Sequence, residues 1–214
     1  TAAFEKFVDE LTAILKNGHA TTHSNLAVTV AQVDAPAQVL PADYQSKLLR
    51  ALYACHNGVY RMSPDIEHLV QTSNNVARVL VQDGKLTVQC LTRSSVDSEK
   101  MDLAAGIQSA LELAGATVTL SGLYPGWMPR PGAGIVQLMS DLYKEKYNGE
   151  AHVNACHAGL ECGIIGANYP DMEMISFGPN IRGAHSPDEK VQISSVQKYW
   201  DFLLDTLKRI PAKA

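Results

Sequence analysis

Cysteine is scarce and scattered in this sequence. Cys55, Cys90, Cys156 and Cys162 lie in apolar contexts with no CxxC spacing. They read as four buried free thiols in a reducing compartment, so the cytoplasm is the expected location. There is no basic run and no basic stripe with interleaved aromatics, and the net charge is -4. Nucleic acid is therefore not an expected partner. No apolar stretch approaches the roughly 18 residues of a membrane span, so no membrane partner is expected. The first segment is amphipathic and acidic, which argues against a signal peptide. The chain begins at Thr1 rather than Met, which permits a fragment or a processed product. HExxH, GxSxG, GxxxxGK[ST] and GxGxxG are all missing, as are any His-x-Asp triplet and any Glu-Glu pair.

What is present is ordinary globular material: 214 residues, 46% hydrophobic and 19% charged. That is enough for one large domain or two small ones. Phe4, Phe7, Val8, Leu11, Ile14 and Leu15 recur at helical spacing, and Asn17-Gly18 supplies a stop. Leu26 to Val33 alternates like a half-buried strand. Pro41 opens a helix that ends at Asn57-Gly58. Val76–Val81 and Leu86–Leu91 are β-rich, and the Asp83-Gly84 pair between them predicts a hairpin. Ser98 is placed to cap a helix running to about Ala114, with a strand expected at Ala116–Leu120. These elements predict helices layered on one face of an antiparallel sheet.

Tyr124 to Gly132 holds three prolines and two glycines and marks a boundary. Beyond it the pattern predicts a helix from Gly134 to Tyr147 and a strand at His152–Ala155. A Gly-rich turn and a short helix follow, then a strand at Met172–Phe177 and a last helix from Ser194 to Ile210. This alternation predicts a mainly parallel α/β layer, of which three strands are only a tail. The expected class is thus α/β. An α+β unit is expected before the Tyr124–Gly132 boundary, and the tail of an α/β domain after it.

Three places carry candidate chemistry. His185 sits on a loop bounded by Gly183 and Pro187, with Asp188 and Glu189 close behind. It reads as a metal ligand or general base; the plainer reading is a loop histidine bonded to Asp188 or Glu189. The stretch His152 to Gly163 reads as a strand end turning through Gly159 into a helix, whose free N–H groups suit a carboxylate or oxyanion. The plainer reading is a tight strand-to-helix turn. A thiol pairing of Cys156 or Cys162 with His157 is a third reading, supported by adjacency alone. Arg93 ends an apolar strand and could clamp a carboxylate through two hydrogen bonds; the plainer reading is a surface ion pair with Asp97 or Glu99.

The motifs His157-Ala158-Gly159-Leu160-Glu161-Cys162-Gly163, Ser176-Phe177-Gly178-Pro179 and Gly183-Ala184-His185-Ser186-Pro187-Asp188-Glu189 resemble those of the bacterial aminoacyl-histidine dipeptidases. These are also called cytosol non-specific dipeptidases and belong to the di-zinc metallopeptidases. Tyr124-Pro125-Gly126-Trp127, Thr92 to Ser98 and Thr72 to Val76 look like the same family. The resemblance is dense from about Asn57 to Pro211.

The resemblance implies a lid and dimerisation domain, incomplete, over residues 1–122, and the carboxyl-terminal part of a catalytic domain over 123–214. It implies that His185 is a terminal ligand of one of two zinc ions, with cobalt or manganese as alternatives. It implies that Arg93 holds the carboxylate of a dipeptide substrate, Xaa-His among others, and that the backbone of Gly159 lines the substrate site. Glu161 lies in the same motif and is grouped with the substrate-binding residues. A homodimer through the lid is implied as well. The family's His-x-Asp motif, Glu-Glu pair and further Asp have no counterpart in these residues. The chain therefore reads as the carboxyl-terminal portion of a metallo-dipeptidase, inactive alone. The competing reading is a non-catalytic module for dimerisation or binding.

Overall fold

Asp83 and Gly84 both take positive φ, 52° and 71°, as a two-residue hairpin turn requires. The turn joins β2 (Val70–Gln82) to β3 (Lys85–Ser94), which pair antiparallel from Gln82 opposite Lys85 to Thr72 opposite Ser94. A computed structural model describes residues 2–157 and 160–211 of the chain. It divides the polypeptide into two units, Thr1–Pro41 and Ala42–Ala214.

The first unit contains α1 (Ala2–Gly18), which has the expected helical spacing but no buried residue. The strand expected at Leu26–Val33 is not formed, and Val28, Val30 and Val33 stay exposed. Alternation expresses only a preference; a strand exists when a neighbour completes its hydrogen-bond ladder.

In the second unit, α2 (Ala42–Ala54) starts directly after Pro41, as expected. β1 (Gly58–Met62) follows, where the sequence pattern predicts no strand; it pairs antiparallel with β2, giving the sheet order β1-β2-β3. Next comes α3 (Asp97–Leu113), which packs on β2 and β3, while α2 packs against α3. Leu103, Ile107 and Leu111, one turn apart, meet Cys55 and the strand residues Val76 and Val88 in the core. Ser98 is not the cap. The cap position is Val96, which offers no side-chain bond, and Asp97 and Glu99 place negative charge in the first turn instead. The expectation of four buried thiols also fails: all four are free, but only Cys55 is buried, while Cys90 and Cys156 are exposed.

The remainder of the unit comprises α4 (Gly134–Tyr147), α5 (Glu161–Asn168), β4 (Ile181–Arg182), β5 (Lys190–Val191) and α6 (Ile193–Arg209). α4 and α6 pack through Met139, Leu142 and Phe202, with Tyr143 and Tyr147 against the Phe202 ring. Asn148, at φ 50°, ends α4 in the left-handed conformation. The Glu173 carboxylate accepts the N–H groups of Gly134 and Ile135, both at 3.0 Å, and so caps α4 from a distance.

The strands expected at Ala116–Leu120, His152–Ala155 and Met172–Phe177 are not formed. Among the described residues this part has one ladder, the antiparallel β4–β5 pair, so the expected parallel layer is absent there. The physical reason is again the missing neighbour, and Leu120, Val153, Met172 and Phe177 remain exposed.

Candidate active site

A row of small polar residues interrupts the apolar pattern of β2 at Gln71-Thr72-Ser73-Asn74-Asn75. Thr72 is fully buried, and its hydroxyl donates to Glu99 Oε2 at 2.7 Å and shares a bond of 2.8 Å with Ser94. Gln71 Nε2 donates to the same Glu99 oxygen at 2.8 Å, and Arg61 pairs with the other. The bond from Gln71, followed by those from Thr72 and Arg61, holds the Glu99 carboxyl below its ordinary pKa. Asn74 Nδ2 donates to the His56 carbonyl at 2.8 Å, and Thr92 donates to Asn74 Oδ1 at 2.9 Å. Each buried polar group thus has a partner, which stiffens the end of the β2–β3 pair.

Arg93 projects from this stiffened end, directly opposite Ser73 in the ladder. The expected partners are taken: Asp97 pairs with Lys100, and Glu99 with Arg61. Among the described residues Arg93 has no ion pair, so the plain salt-bridge reading does not hold. A cavity of about 450 Å³ opens beside it, lined by Arg93, Lys100, Tyr124 and His157.

Three motifs separated in sequence converge at this end of the sheet. Lys100 Nζ donates to the Tyr124 carbonyl, and the Gly126 N–H donates to Asp97 Oδ1 at 2.9 Å. The Ser95 carbonyl leaves no room for a side chain on Gly126, and a Cβ on Gly163 would lie 2.6 Å from the Pro125 oxygen. Both glycines are therefore contact points where backbone passes against backbone. His157 Nε2 shares a hydrogen bond of 2.7 Å with Ser73 Oγ. Burial, and then the Arg93 charge, keep the imidazole's pKa below its ordinary value, which favours the neutral ring. Glu161 opens α5 and is exposed. Burial, then the Glu161 charge, pushes the Tyr124 phenol up. Gly159 lies outside the described residues.

His185 stands apart from this convergence in its construction. β4 and β5 form the base of a loop with Gly183 at φ 64° and His185 at φ 65°. The His185 N–H donates to Glu189 Oε2 at 2.8 Å, and Ser186 Oγ donates to the Gly183 carbonyl at 2.7 Å. Glu189 thus engages the histidine's backbone, and the residue is exposed. A positive φ is uncommon outside glycine and is tolerated here because both ends of the turn are bonded. Among the described residues no group of three or more His, Cys, Asp or Glu could hold a metal ion. A catalytic zinc takes three protein ligands, so these residues alone do not build a metal centre.

The thiol reading loses its pairing. His157 is committed to Ser73 rather than to a cysteine. Burial raises the Cys162 pKa, the reverse of what a reactive thiolate needs.

Comparison with known proteins decides the family. The model of "Peptidase family M20/M25/M40" matches residues 9–209. The chain belongs to that peptidase family. A cytosol non-specific dipeptidase of Escherichia coli (strain K12) is 39% identical over 209 residues, covering 98% of this chain and 43% of that protein. The crystal structure of aminoacylhistidine dipeptidase from Vibrio alginolyticus matches with a TM-score of 0.87 at 39% identity, over 100% of this chain and 44% of that one. This M20 family chain therefore spans less than half the length of either relative. Its α/β class, with mixed helices and antiparallel sheets, is that of the dipeptidase structure.

The structure places Arg93 beside His157 and leaves His185 on a separate hairpin. Ser73, Gly126 and Gly163 carry the convergence, and the residue pattern assigned them no role. For Ser73 the signal was present: a run of five polar residues inside a strand needs partners somewhere. For the two glycines the contact is between backbones, and no local pattern records it.

Proposed function

We propose that this M20 family chain forms the substrate-gripping portion of a metal-dependent dipeptidase. In this reading Arg93 binds the free carboxylate of a short peptide, Xaa-His dipeptides among them. The observation that carries it is an Arg without an ion pair among the described residues, at a rigid strand end beside a cavity. A planar guanidinium matches a carboxylate through two parallel bonds, and a requirement for a terminal carboxylate close to the reacting bond selects short peptides.

The reading assigns residues 1–122 to a lid and homodimer-forming domain and 123–214 to the end of the catalytic domain. Glu161 and the Gly159 backbone join Arg93 in contacting substrate. His185 is a terminal ligand to one of two zinc ions, with cobalt or manganese as alternatives. The remaining ligands and the general base come from outside these 214 residues. When bound, such metals supply an activated water. The chain's own residues orient the substrate. The proposed setting is the cytoplasm, with no nucleic-acid or membrane partner; no described helix is long and apolar enough to cross a membrane.

The test is calorimetric binding of alanyl-histidine and of its carboxyl-terminal amide to the chain and to Arg93→Ala. A preference for the free acid that disappears in Arg93→Ala supports the reading. Equal binding of acid and amide by the unaltered chain refutes it.

A second reading, a non-catalytic dimerisation module, draws on the exposed apolar side chains, Trp200 and Leu207 of α6 among them. A metal-independent dimer in sedimentation, with no preference for the free acid, favours it over the first.

A further inference from the structure

We infer that His157 is a positioning residue for the Arg93 anchor: by bonding to Ser73, it fastens the strand pair that carries the guanidinium to the segment leading into α5. The inference rests on the proposed role of Arg93 and adds to it a residue that determines how firmly the substrate carboxylate is held.

Three observations support it. Ser73 and Arg93 are directly opposite one another on β2 and β3, so their side chains rise from the same face of the sheet. His157 Nε2 meets Ser73 Oγ at 2.7 Å from a point 84 residues further along the chain. His157 and Arg93 both line the same cavity. A bond to Ser73 is therefore a bond to the immediate neighbour of the anchor.

The electrostatics are consistent with a positioning role. Arg93 disfavours a second positive charge beside it, and burial disfavours any charge on the ring. The imidazole thus serves as a neutral strut, leaving Arg93 the full charge that a carboxylate meets. The other charges near this end are spoken for: Lys100 by Asp97 and the Tyr124 carbonyl, Glu99 by Arg61, Gln71 and Thr72. Neighbouring contacts reinforce the same seam, since the Pro125 carbonyl presses on Gly163 of α5 only a few residues beyond His157. The seam is tight in backbone at Gly163 and bonded through side chains at His157.

The consequence is specific. Loss of the His157–Ser73 bond frees Arg93's strand end to move relative to the α5 segment. Grip on a carboxylate weakens, while contacts to the rest of a ligand do not. Gln at position 157 can still reach a serine hydroxyl, and Ala cannot.

The test uses His157→Ala, His157→Gln and Ser73→Ala, each in the full 214-residue chain. The first readout needs no ligand: the Arg93 Nε–Hε resonance in nitrogen-edited NMR. It is expected to move in His157→Ala and Ser73→Ala and to stay near its original position in His157→Gln. The second readout is calorimetric affinity for alanyl-histidine and its amide. Affinity for the acid is expected to fall about fivefold in both alanine variants, the scale of one lost hydrogen bond, with the amide unchanged. An Arg93 resonance indifferent to all three substitutions overturns the inference. So does acid binding that is unaltered in His157→Ala while the unaltered chain still prefers acid over amide. If the unaltered chain shows no such preference, it is the Arg93 reading that fails, and the NMR readout still decides whether His157 positions Arg93.

Discussion

The carbonyl oxygen of Pro125 lies only 2.6 Å from where a Cβ on Gly163 would sit. The obstacle is backbone, which cannot swing aside as a side chain can. Gly163→Ala is therefore predicted to destabilise the chain by about 1–3 kcal/mol, the ordinary cost of overpacking. Gly166, one turn along α5, supplies the control. Its added Cβ would meet only the tip of Met174, at 2.9 Å, and alanine favours helix over glycine. Thermal unfolding of the two variants is expected to rank Gly163→Ala well below Gly166→Ala. Equal melting temperatures would contradict the convergence at α5.

Asp205 lies on α6 and bonds to Lys146 of α4 and to Lys208. The bond from Lys146, then that from Lys208, lowers its carboxyl pKa from 3.8 to about 2. The folded state thus favours the carboxylate, and the unfolded chain takes up the proton first. The stabilisation is complete above pH 3.8 and is lost as pH falls toward 2. Asp205→Asn is expected to be less stable than the parent at neutral pH, with the gap closing in that acid range. Denaturant titrations across pH measure it. High salt is expected to narrow the gap as well, because these groups are solvent-exposed.

Glu173 caps the first turn of α4 through two backbone bonds. Those bonds, Gly134 first and Ile135 second, also lower its pKa. Glu173→Ala is predicted to speed amide exchange at Gly134 and Ile135 while leaving the middle of α4 protected. Unchanged exchange at both amides would show that the cap contributes nothing.

The thiols give a fourth prediction. Cys55 is buried, and burial raises the pKa of both Cys55 and Cys162. Iodoacetamide at neutral pH is expected to label both slowly, because the thiolate is the reacting form. Rapid labelling of Cys162 would restore the thiol-enzyme reading.

The local elements were legible where a residue's own neighbours decide the outcome. Asp83-Gly84 made its hairpin, Pro41 opened α2, and α4 begins and ends where the pattern placed it. Ala116–Leu120, His152–Ala155 and Met172–Phe177 carry strand-type residues, yet no ladder forms on them. Strand propensity is local, while strand pairing depends on a second segment. The thiols failed for a related reason: how far Cys90 and Cys156 are covered is decided by segments distant in sequence. Arg93 was legible as a candidate from its motif. Its freedom from Asp97 and Glu99 was not, because that depends on Lys100 and Arg61 reaching those carboxylates first.

These 214 residues are proposed to grip a dipeptide without completing its hydrolysis. One tube tests both halves: nitrogen-labelled chain, zinc and alanyl-histidine, with the Arg93 Nε–Hε resonance and released histidine followed together. A saturating shift at Arg93 and no histidine released above the buffer rate are expected. Chelator-sensitive release of histidine, or an Arg93 resonance unmoved by the dipeptide, would contradict it.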